Sequence, residues 1–168
     1  MSYFPPCLSS LPSGMRKYYG GMADRLLIIC VLSFSLLSCA GETVELKNAV
    51  TAYNKMLTEA LAKPDENIME YFTSNNELSR IGAYILRLET EKKLMVSELL
   101  ELQFLSTSTS EEGKTATVNT SERWTYHYVD IKTREKITEE EAIAYENTYH
   151  LLKESGHWVV DRIDVTEK

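Results

Sequence analysis

The longest apolar stretch of this 168-residue chain is Leu26 to Leu37, LLIICVLSFSLL, interrupted only by two serines. Beyond it the apolar residues change rhythm twice. Leu46, Val50, Tyr53, Leu57 and Leu61 recur at intervals of three and four, widened by Ala49, Met56 and Ala60, which predicts an amphipathic helix over 42–62. Lys63-Pro64 ends it, because the residue before proline is displaced from helical geometry. Pro64 can open a second, shorter helix, with Asp65 and Glu66 favourable in its first turn and Ile68, Met69 and Phe72 on one side. Ser74-Asn75-Asn76-Glu77 has the form of a capping box and predicts a third helix. There Leu78, Ile81, Ile85 and Leu88 share a face, Tyr84 and Leu86 flank them, and Gly82 leaves room for close packing.

From about Leu94 the period falls to two. ELLELQFLSTS, 98–108, sets Leu100, Leu102 and Phe104 against Glu101 and Gln103. After a turn at Glu111-Glu112-Gly113-Lys114, the stretch 115–129 is the longest strand signal. One face carries Ala116, Val118, Thr120, Glu122, Trp124, Tyr126 and Tyr128; the other carries Thr115, Thr117, Asn119, Ser121, Arg123, Thr125 and His127. Both faces are rich in β-branched and aromatic residues, as a central strand requires. The polar stretch 130–141 reads as a connection. Thr138-Glu139-Glu140-Glu141 could cap a helix reaching His150, so strand and helix compete over 139–150. The strand is preferred, with Ile143, Tyr145, Tyr149 and Leu151 on one face, because Glu154-Ser155-Gly156-His157 makes a tight turn into WVVDRIDV and closes a hairpin. Three helices followed by about four antiparallel strands is an α+β order.

The apolar run changes where the chain is expected to work. At about 12 residues it is shorter than the about 20 a bilayer span needs, and extending it past Cys39 would enter the polar AGETVELK. Its end, Leu36-Leu37-Ser38-Cys39, resembles a bacterial lipobox. The resemblance implies a diacylglyceryl group on Cys39, cleavage before it and acylation of the new amino terminus, palmitate included. Residues 1–38 would then be a signal peptide with a mis-called extension. Met15 is the expected start, since Arg16, Lys17 and Arg25 supply the positive flank that Met1 to Gly14 lacks. Residues 39–43 form the lipidated cysteine and a short tether, and 44–168 a single domain.

Cysteine and charge sharpen that division. Cys7 and Cys30 would be removed with the leader, leaving Cys39 and no disulfide framework. Three of the 18 basic residues and one of the 25 acidic ones precede Cys39, so the remaining chain is more acidic than the whole, at −7. Phosphate contacts need clustered Lys and Arg, and Lys92-Lys93 is the one basic pair after Cys39, which argues against nucleic acid. An acidic surface does not hold an anionic bilayer. The lipid on Cys39 must do the anchoring, and several acyl chains suffice. With Ala40 rather than Asp after the cysteine, lipoprotein sorting would send the chain to the outer membrane, facing the periplasm, in a two-membrane host.

The domain resembles the nuclear-transport-factor-2-like superfamily, the cystatin-like α+β cone. The resemblance lies in the AVTAYNKMLTEAL helix, the short segment ending EYFT, the strand ATVNTSERWTYHY and the hairpin YENTYHLLKESGHWVVDRIDV. It implies three helices covering one side of a curved four-stranded sheet, with a conical pocket at the open end. Members include small-molecule isomerases, dehydratases and cyclases as well as non-catalytic dimerising and envelope-assembly modules, so fold alone does not choose between them.

Within that frame Glu122 is the candidate acid or base, a carboxylate among aromatics that desolvation could tune. The blander alternative is an ion pair with Arg162 of a neighbouring strand. Trp124, Tyr126 and Tyr149 join Glu122 as candidate pocket residues, or are core aromatics with their polar ends at the rim. His127, His150 and His157 lack metal-ligand spacing, so neither metal nor cofactor is expected. The favoured expectation is a lipid-anchored, non-catalytic binding or assembly module. Its sheet face with Thr117, Ser121, Arg123 and Thr125 would meet a second copy or an envelope protein. The rival is a small-molecule binder or an isomerase- or dehydratase-type enzyme using Glu122.

Overall fold

In the computed structural model residues 41–168 are described. Cys39, the leader and the start at Met15 lie outside the described residues. A helix, α1, covers 41–62, and Leu46, Val50, Tyr53, Ala60 and Leu61 are buried along it. Its last turn closes with the Lys63 amide donating to the Glu59 carbonyl. The Arg134 guanidinium donates to the Ala62 carbonyl at 3.0 Å, meeting one of the acceptors a helix end leaves open.

The expected second helix is a single 3-10 turn, Glu66–Met69, capped by Asp65 rather than opened by Pro64. The reason lies just downstream. The Phe72 carbonyl accepts from the Val160 amide and the Ser74 amide donates to the Val160 carbonyl, both at 2.9 Å. Backbone committed to a sheet edge at 72–74 cannot also continue a helix, and two α-helices result instead of three.

The second of them, α2 (Asn75–Thr90), is capped as expected by Ser74, whose hydroxyl accepts from the amides of Asn76 and Glu77. The box does not close. The Ser74 amide is taken by Val160, and the Glu77 side chain turns inward instead. The Ser74 hydroxyl in turn donates to Asp161 at 2.6 Å, tying the helix start to the sheet.

Four strands, β1 (Lys93–Thr109), β2 (Thr115–Asp130), β3 (Glu141–Glu154) and β4 (His157–Glu167), form an antiparallel sheet in the order β1-β2-β3-β4. β3 settles the competition between helix and strand, pairing with β2 from Tyr126↔Glu141 to Thr115↔Leu152. Ser155 and Gly156 both adopt positive φ, 48° and 88°, which suits the two-residue turn into β4. Bulges bend the long strands: β1 shifts register between Leu99 and Glu101 and again between Phe104 and Ser106, and β4 opposite His150/Leu151. The first bulge corrects the expected alternation. Leu102 and Phe104 pair with the inward Glu122 and Thr120, whereas Leu100 is the extra residue and is exposed.

Thr43–Lys168 is one compact unit. Both helices cover the same sheet face, where Ala116, Val118, Tyr149, Leu151 and Val160 meet Leu46, Val50, Ile81, Ile85 and Leu88. On the opposite face a polar ladder crosses three strands: Asn119 donates to Ser106 at 2.8 Å and Thr148 to Asn119 at 2.7 Å. Among the described residues no helix is long and apolar enough to cross a membrane.

Candidate functional site: a cavity with two carboxylates

Helix spacing and strand pleat aim side chains at one another. Tyr53, Asn54, Leu57 and Leu61 descend from α1; Glu77, Arg80, Ile81 and Tyr84 fall on one side of α2; Glu122 and Trp124 alternate with outward residues on β2. Tyr145, Asn147 and Tyr149 do the same on β3. Together with Met95, Ile163 and Val165 they line an open cavity of about 400 Å³.

Glu122 lies at its floor, 2% exposed. One carboxylate oxygen, Oε1, accepts from the Thr120 and Tyr149 hydroxyls, both at 2.7 Å, with the Asn54 amide nitrogen farther off at 3.4 Å. The other, Oε2, accepts from the Trp124 indole at 2.8 Å. A carboxylate held this way has its lone pairs met by the protein, which is what burial of a charge requires. Burial, then the Glu122 charge and hydrogen bond, hold the Tyr149 phenol well above its usual range, so it stays a donor.

Glu77, on the wall, is served differently. Its Oε1 accepts from the Tyr53 hydroxyl at 2.8 Å, and its Oε2 lies 3.6 Å from the half-exposed Arg80 guanidinium, beyond good hydrogen-bond distance. Burial raises the Glu77 carboxyl above the ordinary range, and the hydroxyl of Tyr53 and the charge of Arg80 offset this only in part. Tyr53 is itself pushed well up, by burial first and Glu77 second. The rings of Tyr53 and Tyr149 meet edge to face at 6.0 Å, linking the two carboxylate–tyrosine pairs. Asn147 adds an acceptor: its buried Oδ1 has no hydrogen-bond partner among the described residues.

The structure brings Glu122, Trp124 and Tyr149 of the expected set to the cavity, while Tyr126 is not among the lining residues. Tyr126 shares the pleat's face but lies beyond Trp124, and its hydroxyl donates to Glu141 at 2.7 Å; that bond, more than burial, pushes its phenol up to about 12. Arg162 is not the partner of Glu122. It sits on β4 with Asp164 at 3.2 Å and His150 at 3.0 Å, on the far side of the sheet from Glu122. Of the expected partner face, Arg123 is exposed and paired with Glu101 at 3.6 Å, and Thr117, Ser121 and Thr125 are half-buried. No grouping of three or more His, Cys, Asp or Glu side chains suited to a metal occurs among the described residues.

Sequence reasoning missed Glu77, Arg80, Asn54 and Asn147. A signal for the first two was present, since Glu77, Arg80, Ile81 and Tyr84 follow helical spacing onto the same side of α2. Reading Glu77 as the closing residue of a capping box hid it. Asn54 sits beside Tyr53 in an apolar stripe and Asn147 between Tyr145 and Tyr149 on the inward pleat, so both placements were readable but neither implied a role.

No protein-family model matches the sequence, and no curated protein matches it. Among solved structures, the intermembrane space region of the chloroplast protein ARC6 aligns at 15% identity over 73% of this chain and 95% of that one, with a TM-score of 0.66. A periplasmic fragment of TraM aligns at 10% identity over 73% and 98%, TM-score 0.50. A nuclear transport factor 2 (NTF2-like) superfamily protein from Salmonella enterica aligns at 10% identity over 77% and 92%, TM-score 0.49. At such identities likeness speaks of fold alone. The described residues form an α+β domain built from two helices on a four-stranded antiparallel sheet.

Proposed function

We propose that this chain is a membrane-anchored bacterial lipoprotein, held through acylated Cys39, whose single domain is a non-catalytic binding module of the cell envelope. The cavity binds a small molecule without transforming it, and the outer sheet face with Arg123 serves a second copy or an envelope partner. In a two-membrane host its place is the outer membrane, facing the periplasm.

The observation that carries the non-catalytic reading is the state of Glu122. Three short donors and one longer one occupy its carboxylate, and Tyr149 cannot serve a ligand while it serves Glu122. A general base must reach the proton it removes, and this one is turned to its own framework. Support for the address comes from the lipobox-like Leu36-Leu37-Ser38-Cys39. It comes also from two fold neighbours whose descriptions place them in an intermembrane space and a periplasm.

Two arms test the proposal. Alkyne-palmitate labelling of the full chain in a bacterial host should tag the wild type and not Cys39→Ala, with the variant leaving the membrane fraction. Equal labelling of both would remove the anchor. Native mass spectrometry of the full chain after exposure to envelope extract should show a small retained mass that is released unchanged. Release of a chemically altered ligand would favour the enzyme reading with Glu122 as acid or base.

A further inference from the structure

Resting on the reading that the cavity binds a small molecule, we propose that its ligand class is an apolar primary amine, the ammonium seated against Glu77 and an aromatic or alicyclic body along the apolar walls. The inference follows from counting what the cavity's polar groups still lack. The donors beside the two carboxylates are spent. Tyr53 gives its proton to Glu77; Tyr149 and Trp124 give theirs to Glu122. The acceptors are not. Glu77 Oε2 has only Arg80 at 3.6 Å, and buried Asn147 Oδ1, in a residue 7% exposed, has no partner among the described residues. A buried acceptor without a donor is costly, and an ammonium brings three donors and no acceptor.

Charge agrees with the count. Two carboxylates line the cavity against one guanidinium, and the Arg80 side chain is 52% exposed while that of Glu77 is 9%. A ligand carboxylate or phosphate would find Arg80 alone, at the rim, with Glu77 and Glu122 repelling it from within. The walls suit the rest of the molecule: Leu57, Leu61, Ile81 and Ile163 are apolar, and Tyr53, Tyr84, Trp124 and Tyr145 supply rings to which a cation is attracted. A volume of about 400 Å³ lies at the small end for ligand sites.

Three near-isosteric probes separate this from its parent reading: 2-phenylethylamine, 2-phenylethanol and 3-phenylpropanoate, titrated into the full chain by calorimetry at neutral pH. The amine should bind at least about tenfold more tightly than the alcohol, and the carboxylate no better than the alcohol. Glu77→Gln should cost the amine about tenfold and leave the alcohol unchanged. Arg80→Gln should tighten the amine a few-fold, because Arg80 competes for Glu77; a merely structural role for either residue would not produce opposite signs. Equal binding of all three, or unaltered amine binding in folded Glu77→Gln, overturns the amine while leaving the cavity reading intact. No binding of any probe at millimolar concentration overturns both.

Discussion

Two glutamates share one cavity, and the protein treats them in opposite ways. Glu122 rises from a strand whose own pleat supplies Thr120 and Trp124 at i−2 and i+2, and the neighbouring strand adds Tyr149. Glu77 hangs from the first turn of α2, with one tyrosine donor and a distant guanidinium. Both are buried, 2% and 7% exposed. Burial alone therefore does not mark a working carboxylate; the number of donors the fold has already given it does. The fully served residue is part of the framework and the under-served one is the part left for a visitor.

If that contrast is right, removing Glu122 should be the most damaging change. Glu122→Ala leaves the Trp124 indole and the Thr120 and Tyr149 hydroxyls without their acceptor, and should lower unfolding free energy by about 3–5 kcal/mol in urea melts. A loss under about 1 kcal/mol would place Glu122 with Glu77 and dissolve the contrast. Tyr149→Phe, which removes one of those donors, should cost about 1–2 kcal/mol by the same measurement. Ser74→Ala removes the α2 cap and the bond to Asp161, and a loss of about 1–2 kcal/mol is expected.

Glu77→Gln should have the smallest effect of these at neutral pH, and its size depends on pH. The folded-state value of Glu77 lies above its unfolded value, so the folded chain binds the extra proton between the two. Its ionisation therefore costs stability above the raised value. That cost fades as pH falls through the raised value and is gone below the ordinary carboxylate range. The difference between wild type and Glu77→Gln isolates this term from Asp130 and Asp164, whose lowered values work in the opposite direction. A stability difference that does not vary with pH would show Glu77 to be as well solvated as a surface residue.

The same contrast explains what could be read in the sequence. Periodicity located α1, α2 and all four strands, because burial of one face writes itself into spacing. It also set Glu122 and Trp124 on the inward pleat. What it could not see were interactions between distant elements. The turn at Glu66–Met69 is short because Val160, about ninety residues away, holds the backbone of Phe72 and Ser74. The bulge that exposes Leu100 is a matter of pairing with β2, not of local pattern. The pleat alone puts Tyr126 with the cavity, but its hydroxyl is held by Glu141 and it is not among the lining residues. Glu77 had two explanations, a cap and a wall, and only the Ser74–Val160 bond decides between them.

The most direct test follows the two carboxyls separately. In the full chain labelled with carbon-13 at glutamate side chains and nitrogen-15 at tryptophan, 2-phenylethylamine is added at neutral pH. The account predicts that the Glu77 carboxyl resonance moves with saturation, while the Glu122 carboxyl and the Trp124 indole N–H that it accepts from stay in place. Movement of the Glu122 carboxyl and Trp124 indole with Glu77 unmoved would contradict it, and would make Glu122 the group that meets the ligand.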